Sequence, residues 1–193
     1  DSPLARACQW VLPLHAGAET SVAATKSFVT QLAAGARLVA TWEAQSEGGD
    51  PSLREALAAL PASLDAAIRS DWQAALPVLE EADRLFVVGR GPGLAVALEA
   101  ALKLKETCGV QAEAFSGAEL RHGPMALVDA GYPLLIFAPR GPAQAGLLEL
   151  ALDMRQRGAR VLLAAPAGTP GTELPLVLTG HEDLDPIAAI QSF

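Results

Sequence analysis

The chain has 193 residues, 51% of them hydrophobic and 19% charged, with a net charge of −8; that is one domain's worth of core, or one and a half. The acidic balance argues against nucleic acid or an anionic membrane as partner, because a phosphate backbone needs a clustered basic face. Cys8 and Cys108 have no metal-ligand spacing and are too few for a disulfide framework, and no apolar run approaches the ~18 residues of a spanning helix, so a cytoplasmic location is expected.

In chain order, CQWVLPLH (8–15) reads as a strand, followed by the turn-like AGAET. From Ser21 to Gln45 the pattern is one long helix, with Ser21 as its cap and Val22, Phe28, Leu32 and Leu38 as apolar rows. EGGDPS breaks it, and Asp50-Pro51 opens a second helix with a break or kink at Pro61. DWQAALPVLEEA continues as helix to Asp83. From residue 84 the character changes. RLFVVGRG, VQAEAF, YPLLIFAPRG and RVLLAAP are strands, LPLVLTG is a further one, and helices over about 94–107 and AQAGLLELALDMRQRGA lie between them. The stretch SGAELRHGP reads as a polar loop.

Continuous apolar strands alternating with helices predict an α/β fold, a doubly wound parallel sheet covered on both faces, over residues 84–193. One strand and one long helix cannot close a core. The reading is therefore that residues 1–45 finish a first domain, 46–83 form a helical linker, and 84–193 make a second domain complete or nearly so. If the first resembles the second, the chain shows part of an internal duplication.

Two stretches carry candidate chemistry. In GRGPGLAVALEAALKLKE, strand, glycine turn and helix start form a concavity that can hold an anion even on an acidic chain. GRGPG lacks the third glycine of a dinucleotide fingerprint, and its glycines can equally serve a tight strand-to-helix turn. On the helix, Glu99, Lys103 and Glu106 fall within roughly 60° of arc. Such a stripe is either a surface ion pair or the wall of a site. In AELRHGPMAL, His122 stands between apolar runs before a Gly-Pro turn, and spacing leaves its role open. His15 and His181 have no partner pattern, and the three histidines show no metal-ligand spacing.

GRGPGLAVALEAALKLKE, followed by AEAFSGAELRHGPMALVD, resembles the second domain of the tandem sugar-isomerase (SIS) family, and ETSVAATKSFVTQL resembles the end of that family's first domain. The family includes the isomerase half of glucosamine-6-phosphate synthase and related amino-sugar-phosphate deaminases and isomerases. The resemblance implies catalytic roles for Glu99, Lys103, Glu106 and His122, the last reaching the site of a neighbouring subunit in a homodimer. It implies sugar contacts from the segment Val22, Ala23, Ala24, Thr25 and Lys26, with Val22, Ala24 and Thr25 as the contacts carried forward. Ala24 stands where the family has serine, which removes one hydroxyl contact, and Arg121 replaces a lysine. The serine- and threonine-rich phosphate loop of the first domain and the lysine-bearing tail of the synthase have no counterpart here.

The implied substrate is a phosphorylated hexose or hexosamine, glucosamine 6-phosphate or fructose 6-phosphate, and the chemistry moves a carbonyl between C1 and C2. A carboxylate against an apolar wall suits the proton shuttle, which falls to Glu106. An imidazole suits ring opening, the role of His122. Lys103, fixed by Glu99, would stabilise the enediolate oxygen. No metal or organic cofactor is required. Two alternatives stand beside the deaminase or isomerase reading: the isomerase half of the glutamine-dependent transaminase, and a non-catalytic sugar-phosphate sensor of the kind found in transcriptional regulators.

Overall fold

The structure, a computed structural model, describes residues 2–47 and 49–193. Five strands form one all-parallel sheet: β1 (Arg84–Gly89), β2 (Gln111–Ser116), β3 (Pro133–Phe137), β4 (Arg160–Pro166) and β5 (Leu174–Leu176), in the order β2-β1-β3-β4-β5. The register pairs Val88 with Phe115 on one side and with Ile136 on the other. Strand order reverses between β1 and β3, so the two chain crossings leave this pair in opposite directions and open a crevice at their carboxyl ends.

Alternation along the strands sorts the core into two layers. Leu85, Val87, Leu135, Phe137, Leu162 and Ala164 face one side. That side is covered by α2 (Lys26–Glu43), α3 (Ser52–Ile68), α5 (Pro92–Cys108) and α8 (Asp185–Ile190). Phe86, Val88, Leu134, Ile136, Val161 and Leu163 face the other, under α6 (Gly117–Arg121) and α7 (Gln144–Gln156). Burial on both faces is why these strands read as unbroken apolar runs. Each fully buried Leu or Ile among them contributes roughly 1.5–3 kcal/mol.

Several expectations are corrected. Residues 8–15 form no strand; they lie on the surface with Trp10 84% and Leu12 60% exposed, and among the described residues no strand offers them a ladder. A short helix, α1 (Pro3–Ala7), precedes them. The long helix begins at Lys26 rather than Ser21, and its cap is remote in sequence. Glu19 Oε2 accepts from the Thr25 N–H (3.2 Å), the Ser27 N–H (2.9 Å) and Ser27 Oγ (3.0 Å). The Ser27 amide, foremost among these donors, holds the Glu19 carboxyl below its ordinary value, against a smaller upward pull from burial.

The helix α3 continues without a break through Pro61, which is exposed, while Leu53, Ala56, Leu60 and Ala67 are buried; that packing outweighs the lost hydrogen bond. The stretch after it is not one helix. The chain breaks at Asp71, whose Oδ1 accepts from the Gln73 N–H at 3.0 Å, before a 3-10 turn (Gln73–Ala75) and the short α4 (Leu76–Leu79). Trp72 Nε1 donates to the Pro175 carbonyl at 3.2 Å, which pins this break to the strand edge.

The supposed loop SGAELRHGP holds α6. Its capping box is reciprocal: Ser116 Oγ accepts from the Glu119 N–H at 3.1 Å, and Glu119 Oε2 accepts from the Ser116 N–H at 3.0 Å. α8 was not foreseen at all. Its first residue, Asp185, is 3% exposed and ties three segments together. It receives Arg140 Nε at 2.5 Å, the Thr179 N–H at 2.8 Å and Thr179 Oγ1 at 2.7 Å. Among the described residues no helix is long and apolar enough to cross a membrane.

Candidate active site

The glycine-rich turn after β1 has a steric explanation. A Cβ on Gly89 would lie 2.1 Å from the Gly93 carbonyl oxygen, and Gly91 has φ +57°. Pro92 occupies the first turn of α5, and Gly109, left-handed at φ +69°, ends the helix. The helix buries Val96, Ala97, Ala100 and Ala101 against the sheet, and small residues let it approach closely. Its charged stripe lies at the edge of that buried face.

There Lys103 Nζ donates to Glu106 Oε2 at 2.8 Å and sits 3.4 Å from Glu99 Oε1. The Lys103 and Glu99 side chains are only 15% and 11% exposed, so this is not a freely solvated surface pair. Burial, the largest single influence on Lys103, pulls its pKa down, but the hydrogen bond to Glu106 and the charges of both carboxylates together raise it above 10.5. Stabilisation from this cation is therefore complete below its ordinary value and is lost as pH rises through the raised one. At neutral pH Lys103 is an ammonium: a hydrogen-bond donor and oxyanion partner, not a base.

Glu99 and Lys103 face a cavity of about 250 Å³. Its walls are largely apolar, from Phe28, Trp72, Leu104 and Phe193, and Thr25 stands at its polar rim. The structure thus brings Glu99, Lys103, Glu106 and Thr25 to one side of the molecule. Glu106 reaches the group through Lys103 and is itself outside the cavity wall. Val22 is fully exposed and Ala24 exposed, and neither lines the cavity. His122 is also apart: it sits at the end of α6, on the opposite face of the sheet, in a separate cleft of about 290 Å³ with Arg90, Arg121 and Glu149. Within one copy, His122 does not share the cavity of Glu99 and Lys103. The aromatic wall was not singled out from sequence; Phe28, Trp72 and Phe193 meet only through tertiary packing. Among the described residues no group of three His, Cys, Asp or Glu is placed to hold a metal ion.

The family model described as SIS domain matches residues 78–165, from α4 through β4. Residues 78–165 thus form an SIS domain. The chain is 37% identical over 169 residues to glutamine–fructose-6-phosphate aminotransferase [isomerizing] of Zymomonas mobilis, covering 84% of this chain and 28% of that protein. A crystal structure from Silicibacter pomeroyi, described as a phosphosugar isomerase, is 44% identical with a TM-score of 0.87, over 99% of this chain and 57% of that one. The C-terminal domain of glucosamine-fructose-6-phosphate aminotransferase from Francisella tularensis shares the fold, at 24% identity and a TM-score of 0.75, over 91% of this chain and 53% of that one. The SIS chain thus spans under a third of the curated relatives it matches, and little more than half of these solved structures.

Proposed function

We propose that this SIS chain belongs to an amino-sugar-phosphate isomerase or deaminase acting on glucosamine 6-phosphate or fructose 6-phosphate, working as a cytoplasmic homodimer. Residues 1–45 would close a first SIS domain, 46–83 link it, and 84–193 form the second. The observation that carries the reading is the Glu99–Lys103–Glu106 group, whose central Lys103 side chain is only 15% exposed and lies beside a cavity.

In this scheme His122 of a second copy opens the sugar ring. Glu106 removes the proton from C2 and returns it to C1, converting the 2-amino aldose into a ketose imine. Water adds at C2 and ammonia leaves, giving the ketose phosphate. Lys103, held charged between two carboxylates, donates to the oxygen at C1 as negative charge develops there. Thr25 at the cavity rim, with the Val22 and Ala24 backbone beside it, would contact the sugar. Ala24 offers no hydroxyl.

The second reading, the isomerase half of a glutamine-dependent transaminase, is favoured by the curated relatives, which carry that name at 35–38% identity. The stand-alone reading is favoured by the 44% identity to a chain less than twice this one's length. The test is to incubate the natural polypeptide carrying this chain with glucosamine 6-phosphate in D2O and to follow deuterium at C1 and free ammonium. Deuterium uptake with ammonium release is expected. Uptake only when glutamine and fructose 6-phosphate are supplied would move the assignment to the transaminase, and no uptake under either condition would reject both.

A further inference from the structure

We propose that Glu19 is a positioning residue for the sugar-phosphate site: its carboxylate caps α2 in place of the Thr25 hydroxyl, and so leaves that hydroxyl free for substrate. Thr25 is the cap residue of α2, and a threonine there ordinarily turns its oxygen onto the amide two or three positions into the helix. The molecule's serine caps do this. Ser2 Oγ accepts from the Ala5 N–H at 3.1 Å, and Ser116 Oγ accepts from the Glu119 N–H at 3.1 Å. At α2 the corresponding amide, that of Ser27, donates instead to Glu19 Oε2 at 2.9 Å, and the Thr25 N–H donates to the same oxygen at 3.2 Å. The Thr25 side chain makes no cap bond, and its hydroxyl has no hydrogen-bond partner among the described residues.

The surroundings of Thr25 give the freed hydroxyl a use. Thr25 lines the cavity that Glu99 and Lys103 face, and its backbone, at φ −126° and ψ −67°, lies outside the extended region usual for a cap. Glu19 itself is not part of the cavity wall. It ties the base of the segment that leads there. Lys26 Nζ donates to the Ala18 carbonyl at 2.8 Å and lies 3.7 Å from Glu19 Oε1, while Ser27 Oγ donates to Glu19 Oε2 at 3.0 Å. Between these ties, Val22, Ala23 and Ala24 carry no polar side chain, so Thr25 holds the one hydroxyl of the stretch 22–25. Without the Glu19 carboxylate, the Thr25 hydroxyl and the Ser27 amide would pair with each other, and the cavity rim would lose its hydroxyl. That the rim contact is made to a sugar phosphate rests on the reading above; the exchange of caps rests on the hydrogen bonds.

The test is a double-mutant cycle between Glu19 and Thr25 in the natural polypeptide carrying this chain, read in two ways. The first is the melting temperature without substrate. Thr25→Val should be silent in the parent but should lower it by about 2–4 °C in the Glu19→Ala background, where the hydroxyl has taken over the cap. The second is the KM for glucosamine 6-phosphate in the exchange assay. Glu19→Ala should raise it about three- to tenfold, as for the loss of one neutral hydrogen bond, with kcat within about twofold. The same substitution should change nothing further in the Thr25→Val background. Glu19→Gln keeps an acceptor oxygen for the Ser27 amide and should hold KM close to the parent's. Effects of Glu19→Ala and Thr25→Val that simply add, in either readout, would overturn the role. A parent without exchange activity would reject the proposed reaction, while the melting temperatures would still decide whether Glu19 frees the hydroxyl.

Discussion

Glu106→Gln is expected to reduce C1–C2 proton exchange by about 10²- to 10⁴-fold, the range a positioned acid–base group supplies. The substitution is well suited to the question. Glutamine keeps the length and the acceptor oxygen that Lys103 Nζ meets at 2.8 Å, and the position is partly exposed, so folding should survive. What is lost is the ability to take and return a proton. Exchange measured in D2O with the natural polypeptide reads that step directly, and an unchanged melting temperature would show that the loss is chemical. Exchange within a few-fold of the parent would remove Glu106 from the shuttle and turn attention to Glu99, which lines the cavity itself.

Asp185→Ala is expected to be strongly destabilising. The carboxylate is buried and collects Arg140, the Thr179 amide and the Thr179 hydroxyl. Removing it leaves a buried N–H unpaired and a guanidinium without its counter-charge, a loss of about 3–5 kcal/mol for a fully buried pair. Arg140 is 36% exposed and can turn towards water, so the lower end applies. That is a fall in melting temperature of about 6–12 °C for a domain of this size. Asp185→Asn retains an acceptor for Thr179 and should lose less. A shift under 2 °C in Asp185→Ala would mean that the connection between the β3–α7 turn and α8 is held by apolar packing alone.

How much of this was legible in the sequence follows from what each feature depends on. β1, β3 and β4 were readable because burial on both faces imposes apolar character on every position, as in Leu134, Leu135 and Ile136. The parallel sheet followed from them. The segment 8–15 carries the same apolar signal but has no ladder partner, and a partner is not a local property of Trp10 or Val11. α6 was hidden by its length, although Ser116 and Glu119 stand at capping-box spacing and could have revealed it. The charged stripe was legible because three residues on one helix obey a fixed period. The cavity wall was not, since Trp72, Glu99 and Phe193 come from separate parts of the chain. Nor could spacing show that Glu99 and His122, only 23 positions apart in sequence, open onto opposite faces of the sheet.

That last separation makes the account exposed to one decisive measurement. If a complete site needs Glu106 from one copy and His122 from another, then Glu106→Gln and His122→Ala protomers, each inactive alone, form a mixed dimer in which one of two sites is intact. Purified mixed dimers carrying distinct tags should regain about half the exchange activity of the parent dimer. Mixed dimers no more active than either variant alone would contradict a site shared between copies.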